Sequence, residues 1–163
     1  MYNIRSERQV CYCINAGSAD ADTELNAFDR ALLNAGCGNY NLLKVSSILP
    51  AGAERNDKIT ELEGSLLPIA YACITAGPDE NIGDLISAAV AIGIPSNGYD
   101  VGVIMEYESI CTEEEARERV IAMAKTAMAD RKVTEFTIEC ASSSCVSVKD
   151  KYNCAFAYVA IFD

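Results

Sequence analysis

The chain has 163 residues, half of them apolar, which suits a single domain with a real core and excludes disorder. Its 24 acidic and 13 basic residues give a net charge of -11, which argues against nucleic acid as a partner and suits a cationic small molecule. No histidine is present, so Ser-His-Asp and Cys-His catalysis and any histidine proton shuttle are excluded.

No run approaches the roughly 18 apolar residues that a membrane span needs. The N-terminus, from Met1 to Val10, mixes charges where a signal peptide would be apolar, so a cytoplasmic protein away from membranes is expected. Most of the eight cysteines stand in apolar runs, as Cys11 and Cys13 do, and should behave as small hydrophobes. The pairs Cys11/Cys13 and Cys140/Cys145 lack zinc-ribbon spacing, and no metal site is expected.

Gln9 to Ile14 reads as a first strand and Gly17 to Thr23 as a polar loop. Asp22 or Thr23 caps a helix predicted from Glu24 to Ala35, with Leu25, Phe28, Leu32 and Ala35 on one face and Gly36 as its stop. Asp29 falls on a flank of that helix, beside the face holding Leu25 and Leu32. Leu42 to Val45 is a short apolar strand, and Pro50 cannot continue a ladder, so the strand should end near Ile48. Two adjacent hydroxyls, Ser46 and Ser47, stand at that end.

Ala51 to Gly64 is polar and turn-rich and reads as a surface loop, followed by a strand over Leu66 to Thr75 and a turn at Gly77, Pro78 and Asp79. The Ala-rich stretch Ile82 to Ile94 fits a buried strand or a helix equally well. Val101 to Glu108 alternates, sending Val103, Met105 and Tyr107 one way and Ile104, Glu106 and Glu108 the other. Thr112 to Glu115 is a capping box that opens a helix running to about Arg131, with Val120, Met123, Ala124 and Ala127 at core positions. Val133 to Val148 and Asn153 to Phe162 are expected as strands, with a bend at Ser142 to Ser144. The last strand is apolar on both faces and should lie between layers. These elements make one α+β domain of about seven strands and two long helices. No Gly-rich loop opens a helix in a phosphate-cradling pattern, so no nucleotide is expected.

Several motifs then recur in a familiar order: LNAFDRALLNAG over 25–36, Gly38 and Asn39, Asn41 and Leu42, VSSILP over 45–50, GVIMEYE over 102–108, Cys111 before an acidic capped helix, and NCAFA over 153–157. Together they resemble the pyruvoyl-dependent arginine decarboxylases over most of the chain from about Thr23. The resemblance implies an αββα layered sandwich with mostly antiparallel sheets. It also implies a homotrimer of cleaved protomers, or a dimer of trimers, with active sites between neighbours. The implied reaction is decarboxylation of L-arginine to agmatine and carbon dioxide, with no cofactor beyond a covalent pyruvoyl (pyruvate) group formed from Ser47.

Each site residue follows from that likeness. The Ser47 hydroxyl attacks the carbonyl of Ser46, and elimination cuts the chain into 1–46 and 47–163. Asn41 assists, hydrogen bonding the developing oxyanion. The substrate amine forms a Schiff base with the new ketone, and Glu106 is the general acid that returns a proton to the α-carbon. Asp29, with Gly38 beside it in the substrate-binding set, pairs with the guanidinium. Arg30 and Tyr40 depart from the family pattern and bear on substrate choice. A pyruvoyl decarboxylase of another amino acid, or a non-catalytic trimer-forming relative, is the alternative.

Overall fold

Alternation along the strands sorts the apolar side chains into three layers of contact, and that sorting builds the fold. The computed structural model describes residues 9–163; the charged N-terminal stretch ahead of Gln9 lies outside them. In order the elements are β1 (Cys11–Ala21), α1 (Glu24–Ala35), β2 (Asn41–Lys44), β3 (Ile48–Leu49), β4 (Glu54–Arg55), β5 (Leu66–Ala76), β6 (Leu85–Pro95), β7 (Gly102–Ile110), α2 (Glu113–Asp130), β8 (Phe136–Val146) and β9 (Tyr152–Phe162). They form a sheet ordered β2-β5-β9-β1-β4 and a second ordered β3-β7-β6-β8. Pairing is antiparallel except for the short ladders β1–β4 and β2–β5.

Ala155, Ala157 and Val159 of β9 face Ala88, Val90 and Ile92 of β6 between the sheets. The alternate residues of β9, Cys154, Phe156 and Tyr158, pack beneath α1. On the other side Ala89 and Ala91 meet Val120 and Ala124 of α2. The layers are therefore α1, sheet, sheet, α2, the αββα sandwich that the resemblance implied. β9 is buried on both faces, as its composition predicted. Among the described residues no helix is long and apolar enough to cross a membrane.

The strands number nine among the described residues rather than about seven, with β4 inside the expected loop 51–64, and four further local expectations change. β1 runs on through Gly17 to Ala21, paired with β9, where a loop was expected. Gly17 is in fact a contact point: a Cβ there would stand 2.6 Å from the Ala35 nitrogen and 2.8 Å from the Ala31 carbonyl. α1 lies that close because its buried stripe is Ala27, Ala31, Leu32 and Ala35, while Leu25 is 74% exposed. The stretch Ile82 to Ile94 resolves into the central strand β6. Ser142 to Ser144 stay within β8, because each serine finds a polar partner there. Ser142 Oγ donates to Glu113 at 2.6 Å, Ser143 Oγ accepts from Phe156 N at 3.2 Å, and the Ser144 carbonyl accepts from Ser18 Oγ at 3.1 Å.

The fourth change concerns the two serines. The apolar run does not continue as one strand to Ile48. β2 ends at Lys44 in the first sheet, and β3 begins at Ile48 in the second. Val45, Ser46 and Ser47 carry the chain from one sheet to the other.

Candidate active site

The crossover is held from both sides. Val45 N donates to Ile69 O of β5 at 3.0 Å, and Ser47 O accepts from Ile104 N of β7 at 2.9 Å. Between these anchors Ser47 takes a positive φ of 70°, a left-handed conformation that costs an L-residue with a Cβ about 1–2 kcal/mol. The strain is thus located at the Ser47 N–Cα bond, directly after the peptide joining Ser46 to Ser47.

β7 brings the partner. Its alternation sends Ile104 into the inter-sheet core, and Glu106 follows on the same face, opposite Val90 of β6. β3 covers β7 only at Gly102 and Val103, which leaves the edge beyond open toward the crossover. There Ser47 Oγ donates a hydrogen bond to Glu106 Oε1. A cavity of about 270 Å³ opens at this point, bordered by Ser46, Ser47 and Glu106 together with Met105, Met123 and Arg131. A larger cleft of about 500 Å³ lies further along β7 against α2, between Tyr107 and Arg119, but none of its side chains are joined as Ser47 and Glu106 are.

One residue further out on the same face, burial pushes the Glu108 carboxyl up; the Lys44 ammonium draws it back and the Glu106 charge adds to the rise. Lys44 itself stands over the Tyr71 ring, 4.5 Å from its centre. The edge of β7 therefore presents two carboxylates, half-buried Glu106 beside the cavity that Arg131 borders and the more exposed Glu108 within reach of the Lys44 charge.

The remaining sequence-predicted residues stand apart from this cavity. Asn41 opens β2, and its side chain donates to Gly64 O at 2.6 Å, away from the Ser46 carbonyl. Asp29 is exposed on α1, which covers the outer face of the first sheet. Its neighbour Arg30 turns away and donates to Asp20 O of β1 at 3.0 Å, so it does not neutralise Asp29. Gly38 lies in the turn after α1, where a Cβ would stand 2.8 Å from the Leu33 side chain. Tyr40 reaches Glu61 O at 3.3 Å.

Met123 and Arg131 are the cavity residues from outside the crossover, β3 and β7, and the sequence did not single them out for the site. Met123 reads as core by its spacing, yet it is only half-buried and forms a wall of the cavity. Arg131 reads as the end of α2, and only the fold brings that end beside β7. Among the described residues no three His, Cys, Asp or Glu side chains gather as a metal site.

Comparison with known proteins bears on this geometry. A family model described as pyruvoyl-dependent arginine decarboxylase matches residues 11–163. A protein of Thermococcus kodakarensis with that name is 41% identical over 152 residues, covering 91% of this chain and 92% of its own. One from Methanocaldococcus jannaschii, with the same name, is 42% identical over 147 residues, covering 90% and 86%. A third, from Pyrococcus abyssi, is 40% identical over 151 residues, covering 90% and 91%.

Proposed function

The chain belongs to the pyruvoyl-dependent arginine decarboxylase family, and on that premise we propose that it cuts itself between Ser46 and Ser47 and then converts L-arginine to agmatine and carbon dioxide. The observation that supports this most directly is the strained Ser47, with its hydroxyl on Glu106 and its carbonyl pinned by Ile104.

In the cutting step Ser47 Oγ bonds to the Ser46 carbonyl carbon, and the Ser46–Ser47 amide becomes an ester. Elimination takes a proton from the Ser47 α-carbon and breaks the ester C–O bond. Ser46 is left as a carboxylate and residue 47 as dehydroalanine, which takes up water and loses ammonia to give the pyruvoyl ketone. Serine is a weak nucleophile at its ordinary pKa, so position must help it. Anchors in two sheets supply position, and release of the left-handed strain favours the ester. In this reading Asn41 assists the step only after its side chain gives up the Gly64 carbonyl it now holds.

The residues at the crossover suit a group made from the chain itself. Once formed, it supplies a ketone that captures the substrate amine and a conjugated carbonyl that accepts the electrons left when carbon dioxide departs. Glu106, already within hydrogen-bond reach of residue 47, holds the proton destined for the substrate α-carbon. Met123 and Met105 restrict water there.

Asp29 and Gly38 recognise the guanidinium in this reading. Within one chain they lie across the sandwich from Glu106, so the proposal includes a homotrimer, or a dimer of trimers, in which a neighbour brings its α1 to the cavity. Leu33 and Leu66 are 50% and 68% exposed beside the β2 edge, and an apolar rim of that kind suits burial against another copy.

An intact-mass spectrum tests the proposal. Active protein should give two fragments, 1–46 and 47–163, and the larger should resist Edman degradation because it has no free amine. Ser47→Ala should give one uncut chain that releases no carbon dioxide from arginine. A single full-length mass in active wild-type protein would refute self-cleavage.

A further inference from the structure

We infer that Arg131 binds the α-carboxylate of the amino-acid substrate, and so separates substrate from product in the Ser47 cavity; this rests on the decarboxylase reading above. Among the residues bordering the cavity Arg131 is the only cation. It caps the C-terminus of α2, where its Nη1 donates to Ala127 O at 3.1 Å. That bond ties one arm of the guanidinium to the last helical turn. The rest of the donor fork has no hydrogen-bond or ion-pair partner among the described residues, in a chain whose acidic residues outnumber its basic ones by 24 to 13.

Chemistry supplies the partner. A substrate held through its amine at residue 47 brings its α-carboxylate into the same cavity, because amine and carboxylate share one carbon. A carboxylate drawn into a cavity walled largely by apolar side chains needs a charged partner to offset its lost hydration. The Arg131 guanidinium borders the same cavity, and its planar fork matches a carboxylate. Once carbon dioxide has left, the contact has nothing to hold, and Arg131 faces a product that is wholly cationic. The carboxylate charge also fades as the C–C bond breaks, so the contact is stronger before the transition state than in it. It serves binding more than rate.

The carboxylate that cutting leaves at Ser46 also borders the cavity, and the experiment separates the two. Arg131→Gln and Arg131→Lys are first weighed intact, then assayed for arginine KM and kcat and for inhibition by agmatine, which lacks the carboxylate. The expected Arg131→Gln protein is cut normally, with arginine KM raised about 10- to 100-fold, as for loss of a charge-assisted hydrogen bond. Because the contact weakens toward the transition state, kcat should not fall, and it should rise where C–C cleavage limits turnover, the mark of a lost ground-state contact. Agmatine should inhibit at least as well as before, and Arg131→Lys should recover part of the KM. Overturning results are an unchanged arginine KM, a shift of arginine KM and agmatine inhibition by the same factor, or failure of both variants to be cut. The second of these would give Arg131 to the Ser46 carboxylate, and the third to the cutting step. An uncut wild-type chain is a different result: it removes the decarboxylase reading itself.

Discussion

Ser47 donates its side-chain hydrogen bond to Glu106, 59 positions further along the chain. The two meet because Ser47 sits where the chain changes sheets and Glu106 sits on the strand edge that the crossover reaches. Glu106→Gln keeps an acceptor for the Ser47 hydroxyl, so the variant should still be cut. Lacking a proton to return, it should lose about 10²- to 10⁴-fold in turnover. Glu106→Leu removes the acceptor as well and should also slow cutting. Mass spectra over time and carbon dioxide release separate the two effects; near-normal turnover in Glu106→Gln would return Glu106 to an ordinary strand position.

Gly17 sets how closely α1 approaches the first sheet. A methyl group there would stand 2.6 Å from the Ala35 nitrogen, and backbone on both sides leaves no flexible neighbour to yield. Gly17→Ala should destabilise the fold by about 1–3 kcal/mol, the usual effect of overpacking a tight contact. A lowered denaturation midpoint checks this. An unchanged midpoint would mean that α1 lifts at no cost.

Much of this was legible in the sequence. Period-3.6 spacing and caps located α1 and α2 to within a residue or so, with Thr23 and the Thr112–Glu115 box at their starts. Alternation placed Glu106 on the face of its strand that Ile104 shares, which the fold turns toward the other sheet. The errors share a cause: a small or polar residue can mark either a turn or a packed contact, and only tertiary structure distinguishes them. Gly17 read as loop because nothing local shows a helix lying on it. Ser142 to Ser144 read as a bend because their partners, on Glu113, Phe156 and Ser18, are remote in sequence. Arg131 was invisible as a cavity residue for the same reason. The family motifs singled out Ser46, Ser47, Glu106 and Asp29 alike, but within one chain the fold brings only the first three to one cavity.

Glu108 links the site to pH. Burial is the main cause of its raised pKa, with Lys44 opposing and Glu106 adding. A carboxyl whose pKa is higher folded than unfolded holds its proton more tightly in the folded chain. Between those two values stability therefore falls as pH rises, and the penalty is complete above the folded pKa. Glu108→Gln should remove it, raising the melting midpoint relative to wild type at neutral pH. Below the unfolded pKa, about 4, the two proteins should nearly converge. A difference between them that is independent of pH would mean that Glu108 contributes through packing instead.

Asp29 tests how the site is assembled. A carboxylate offers guanidinium two parallel hydrogen bonds and gives an ammonium only a point-charge contact. Asp29→Asn should therefore weaken arginine far more than lysine or ornithine, by about 2–5 kcal/mol if the pair is desolvated. It should leave cutting intact, since Asp29 lies away from the crossover. In one chain Asp29 is exposed on the outer helix, while Glu106 faces the inter-sheet edge. If a neighbour supplies Asp29, then co-expressing Asp29→Asn with Glu106→Gln leaves some sites with both residues intact. With equal amounts and random assembly in a cyclic trimer that fraction is about one quarter, and carbon dioxide release should rise well above that of either variant alone. If each chain uses its own Asp29, every site holds one defect, and the mixture can only average the two variants. Release no greater than that average would break the shared-site arrangement and leave self-cleavage standing.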